Sequence, residues 1–170
     1  MSELDEMRKE KDAFFRESHQ SPLLPEQQAG FNGLKYFPEN KELRLEVDVE
    51  RFPTQEQVQI QTNTGDVQTY TRFGRFGFDV DGEHAELTVL ENEHGYFLPF
   101  ADSLAGTETY GAGRYLEPTR LPDGRFEVDF NAAYNPYCAY NELWSCPITP
   151  PENRLKVPVR AGEKVFDIKE

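Results

Sequence analysis

The chain has 170 residues and a formal charge of −13, and it holds 13 Phe and 8 Tyr within a hydrophobic share of only 37%. Its length fits one domain, 1–170, and large rings bury enough apolar area for a core, which excludes a disordered chain. The acidity, with no Lys/Arg cluster to replace condensed counterions, excludes nucleic acid as a partner and disfavours an anionic membrane surface.

Residues 1–38 read as a helix followed by an extended arm. Ser2 and Asp5 have the S-x-x-D form of a capping box, and Leu4, Met7, Phe14 and Phe15 recur at helical spacing. Lys9, Lys11 and Arg16 lie toward the C-terminal half, where the helix dipole favours cations. The helix is predicted to stop near Ser18, and Phe31 to Pro38 to lie as an apolar arm on the body. The same charges exclude the apolar region of a signal peptide, and no apolar run approaches the roughly 20 residues of a membrane span.

Residues 42–130 change to a period of two, the mark of half-buried strands. Leu43, Leu45, Val47 and Val49 face one way, and Glu42, Arg44, Glu46 and Asp48 the other. Val58 and Ile60 start a second strand, and Val67 to Phe73 return as a third after the turn Asn63 to Asp66. Phe76, Phe78 and Val80 alternate into Asp81-Gly82, a type I′ hairpin pair, and Ala85, Leu87 and Val89 come back. Tyr96, Leu98 and Phe100 follow, then Phe126, Val128 and Phe130 after Pro122-Asp123-Gly124. Residues 131–153 have no period and are rich in Tyr, Asn, Pro and Cys. In 154–170 the spacing predicts strands over Leu155 to Val159 and Val165 to Ile168. The expected fold is mostly β: a single antiparallel β-barrel or sandwich of about 8–10 strands with one N-terminal α-helix.

Several stretches resemble the bacterial and archaeal family known as domain of unknown function 1684. They are Ser21-Pro22-Leu23 with Phe31-x-Gly33-Leu34-x-Tyr36-Phe37, Leu98-Pro99-Phe100-x-Asp102, and Gly106-x-Glu108 through Leu116. Asp129-Phe130-Asn131-x-Ala133-Tyr134-Asn135-Pro136-x-Cys138-Ala139-Tyr140 and Cys146-Pro147 through Lys164 complete them. The resemblance spans nearly the whole chain and implies no activity.

Candidate chemistry gathers in three places. The thiols of Cys138 and Cys146, with His84 or His94, suit zinc or iron as residue types, but no C-x-x-C is present and buried thiols are the favoured reading. Two cysteines are also too few for a secreted disulfide scaffold, so the cytoplasm is the expected compartment. In the second place, Gly111 and Gly113 permit close backbone approach, and Arg114 either clamps an anionic ligand or pairs with Asp129 or Glu108, the latter favoured. Third, Glu108 and Asp129, with Asp102, are candidate acid–base carboxylates. Tyr110, Arg114, Asn131, Tyr134, Asn135 and Tyr140 are the residues expected to hold a small molecule.

The leading expectation is a non-catalytic small-molecule-binding protein with no implied cofactor. A metal-dependent or carboxylate-based hydrolase and a structural module are the alternatives. The acidity reads first as solubility and second as adaptation to a high-salt cytoplasm. The pattern fixes no oligomeric state.

Overall fold

A computed structural model describes residues 3–141 and 144–166. Helix α1 (Glu3–Glu17) lies where its periodicity predicts and buries Phe15, while Ser2 of the expected capping box falls outside the described residues. The arm is not wholly extended. Pro25–Ala29 forms a second short helix, α2, whose first position is proline, preorganised for a helix start. No helix among the described residues is long and apolar enough to cross a membrane.

The strands are β1 (Arg44–Val47), β2 (Glu50–Arg51), β3 (Gln57–Gln61), β4 (Val67–Val80) and β5 (Glu83–Asn92). β6 (Gly95–Phe100), β7 (Arg114–Leu116), β8 (Thr119–Arg120) and β9 (Phe126–Asp129) follow. One sheet runs β2-β4-β5-β6-β7, with β3 also paired to β4, and the other runs β1-β9-β8. Every strand pairing is antiparallel. The sheets share one core, in which Leu43 and Val128 meet Phe76, Phe78, Leu87, Val89, Leu98 and Phe100. The arrangement is sandwich-like.

The barrel alternative is overturned, because no edge of the larger sheet closes onto the other. After Leu116, the buried Pro118 has no N–H to donate, and the chain passes into β8 of the second sheet. Tyr115 of β7 instead makes an isolated bridge with Tyr134. The strand expected over Leu155 to Val159 is also absent. Only Arg154 bridges, to Ala101, and the following backbone is taken by loop and side-chain partners. Ser103 N–H donates to Val157 O at 3.0 Å, and Val159 N–H donates to the Asp102 carboxylate at 2.8 Å. Val165 and Phe166 form no strand, and the rest of that expected strand lies outside the described residues.

Candidate functional site

Three of the expected ligand residues are spent on holding the irregular segments. Arg114 is 1% exposed, and its guanidinium donates to the carbonyls of Ala161, Glu163 (3.1 Å) and Val159 (2.9 Å). Asp102 stands 3.9 Å away, so the counter-charge is neither Asp129 nor Glu108. Burial draws this guanidinium down to about 10, with Asp102 and Glu163 pulling against it, and it stays charged at neutral pH. Asn131 exchanges two bonds with the backbone of Asn40, and Asn135 donates to Lys164 O at 3.0 Å. All three side chains are buried.

Tyr140 belongs to a buried polar cluster. Its hydroxyl and the Lys11 ammonium both donate to the carboxylate of Glu163, which is 1% exposed. The contact ties α1 to the C-terminal segment. Burial, and then the charge of Glu163, raises the Tyr140 phenol well above its ordinary range. Arg8 stacks over Tyr36 at 4.3 Å beside the same cluster.

The expected carboxylate pair does not form a cleft. Glu108 lies on an exposed loop before β7, while the Asp129 carboxylate accepts from the Asn131 backbone N–H and side-chain amide. The histidines are likewise apart from the thiols. His84, on β5, bonds Asp79 at 3.0 Å, and His94 occupies the exposed turn before β6 beside Glu93. Among the described residues no three His, Cys, Asp or Glu side chains converge as metal ligands. The four candidate zinc or iron ligands are therefore not brought together among the described residues.

What the structure does assemble is a surface groove of about 520 Å³ along the irregular segment. The rings of Tyr115, Tyr134, Tyr137 and Trp144 line it, with Pro136 and Pro147. Tyr137 and Trp144 meet edge to face, their centroids 5.0 Å apart, and Tyr115 and Tyr134 do so at 6.0 Å. Besides the tyrosines, the polar residues are few: Lys11, Ser145 and Cys146. Lys11 lies 5.2 Å from the Tyr134 ring centroid. Tyr134 donates its hydroxyl to Glu117 at 2.6 Å, and Tyr115 donates to Pro147 O. Burial first, then Glu117, holds the Tyr134 phenol above its ordinary range.

Local sequence explains the shape. Pro136 precedes a 3-10 turn over Tyr137–Ala139, and Pro147 and Pro150 stiffen the return. Backbone bonds then pin that return to the large sheet: Asn63 N–H donates to Cys146 O, and Ile148 N–H to Gln61 O. Of the expected ligand residues, only Tyr134 lines the groove, while Tyr110 lies just behind it, its hydroxyl 3.8 Å from Cys138 Sγ. Lys11 and Trp144 were missed, because neither stands in a local pattern that marks a site. A groove of similar size between α2 and Phe166 has fewer rings, and a third, beside Gln57 and His94, is predominantly polar.

Fold and groove together define an antiparallel two-sheet protein with a filled interior and an aromatic site on its outer face. The chain belongs to the family described as "Protein of unknown function (DUF1684)", whose model matches residues 29–164. It is similar to an uncharacterized protein of Haloarcula marismortui solved by solution NMR. The two are 39% identical, with 98% of this chain and 94% of that one covered, at a TM-score of 0.71. No curated protein matches the chain.

Proposed function

We propose that the chain is a non-catalytic binding protein that holds a planar, weakly polar small molecule in the groove between Tyr134 and Trp144. The observation that carries this reading is the concentration of four rings around one open volume of about 520 Å³. That volume is within the range of small-molecule sites, which are mostly apolar with a few placed polar groups. Ring faces bind a flat partner by offset or edge-on stacking without requiring a matching charge. The Lys11 charge is already countered by Glu163, which favours a neutral ligand over an anion. Binding without catalysis is favoured because Glu108 and Asp129 line none of the three grooves. A cytoplasmic location belongs to the same reading, supported by two free thiols that suit a reducing compartment.

Trp144 is the only tryptophan, so it reports on its own groove. Titration with the neutral probe N-phenyl-naphthylamine should show saturable one-to-one binding with energy transfer from Trp144. Tyr134→Ala and Tyr137→Ala should each weaken it about tenfold, the loss of one ring contact and its buried area. Non-saturable uptake, or wild-type affinity in both variants, would overturn the reading.

A further inference from the structure

Cys138 and Cys146 are free, buried cysteines packed in one cluster with Tyr115. Cys146 is one of the residues that line the aromatic groove and Cys138 is not, while both are buried, at 7% and 9% exposed. The Cys138 backbone N–H donates to Cys146 Sγ at 3.3 Å. That N–H belongs to the 3-10 turn over Tyr137–Ala139, and a backbone donor on the sulfur favours a thiolate over a thiol.

We propose that this pair is a thiol–disulfide exchange site, entered through the groove, in which Cys146 attacks a low-molecular-weight disulfide and Cys138 resolves the adduct. In the first step the Cys146 thiolate bonds to one sulfur of the disulfide R–S–S–R. The S–S bond breaks, and RS⁻ leaves and takes up the proton that Cys146 gave up. In the second, the Cys138 thiol loses its proton and its sulfur attacks Cys146 Sγ, expelling the second RS⁻, which is protonated in turn. Two protein thiols are oxidised by two electrons to one disulfide, and R–S–S–R is reduced to two RSH. Contact between the two thiols is what makes the second step intramolecular.

The titration of the two groups agrees with these roles. The hydrogen bond from Cys138 lowers the Cys146 thiol, against the opposing effect of burial. Cys138 is pushed up, by its bond to Cys146 first and by burial second.

The test uses the reduced full chain and hydroxyethyl disulfide at neutral pH, read by intact mass and peptide mapping. The wild type should lose about 2 Da as the internal disulfide closes. Cys138→Ser should instead accumulate one hydroxyethylthio group on Cys146, and Cys146→Ser should remain unmodified. Iodoacetamide alkylation of the unmutated chain gives a readout that needs no variant. Cys146 should react at least tenfold faster than Cys138, a ratio that vanishes on unfolding in urea. A wild type that stays reduced, a stable adduct on it, or prior alkylation of Cys138 would each overturn the proposal. The site does not depend on the groove's binding role, since a failed probe titration leaves these masses unchanged.

Discussion

Asn153 spends its side-chain amide on three backbone groups at once. Its oxygen accepts from Thr88 N–H at 2.8 Å, and its nitrogen donates to Thr88 O at 2.9 Å and Pro99 O at 2.8 Å. The residue is 0% exposed, so water replaces none of these bonds if the amide is lost. A buried donor or acceptor without a partner costs about 1–3 kcal/mol. Asn153→Ala should therefore lower stability by about 3 kcal/mol or more, seen as an earlier urea midpoint with an unchanged slope. A loss under about 1 kcal/mol would mean that the segment relaxes around the gap. Residue type marks Asn153 as able to bond backbone, but its partners, Thr88 on β5 and Pro99 on β6, were hidden in the sequence. Arg114 shows why. Its acceptors lie 45, 47 and 49 residues further along, beyond the reach of any local pattern.

Elements were legible where one period ran long enough to show. The Asp81-Gly82 hairpin is formed as its residues predict, with φ of 51° and 82°, and it joins the two longest strands, β4 and β5. The predicted strands over 67–73 and 76–80 are one strand with a bulge between Arg72 and Gly74. There β2 crosses so closely that a Cβ on Gly74 would stand 2.5 Å from Glu50 O. β2, β7 and β8 have two or three residues, too few for alternation to register. Leu155 to Val159 alternates yet forms no ladder, since Asp102 and the Ser103 N–H take its backbone groups. Alternation assigns faces and says nothing of closure, which is why barrel and sandwich were equally open. Helix α1 has a different dependence. Phe15 is its buried anchor, packed against Phe31 and Tyr140 with ring centroids 6.1 and 4.9 Å away. Phe15→Ala should cost about 3–5 kcal/mol and release α1 before the sheets. In hydrogen exchange, α1 amides should lose protection while those of β4 and β5 keep theirs. Uniform loss across both would show that the helix and the sheets unfold as one unit.

At the scale of the molecule, the groove and the cluster beneath α1 make stability depend on alkaline pH. Six of the eight tyrosines, Tyr36, Tyr70, Tyr115, Tyr134, Tyr137 and Tyr140, have phenols held above their ordinary range, in each case by burial first. Unfolded, they ionise near pH 10; folded, they keep their protons to higher pH. Above that pH the unfolded chain binds fewer protons than the folded one, so stability falls as pH rises. Below it the contribution is complete and the curve should be flat. Tyr115, Tyr134 and Tyr140 are among those raised furthest, and each costs about 1.4 kcal/mol per pH unit past 10. Together they remove roughly 4 kcal/mol per unit, against a typical total of about 5–15 kcal/mol. Arg114, lowered to about 10, acts in the opposite sense, but it is one group against six. Tyrosinate absorbance followed alongside circular dichroism separates the outcomes. The six phenols should ionise only as the sheet signal collapses, in one transition above pH 10. Ionisation of more than two rings while the sheet signal stays native would show that the buried hydroxyls are open to solvent, and with them the aromatic wall on which ligand binding depends.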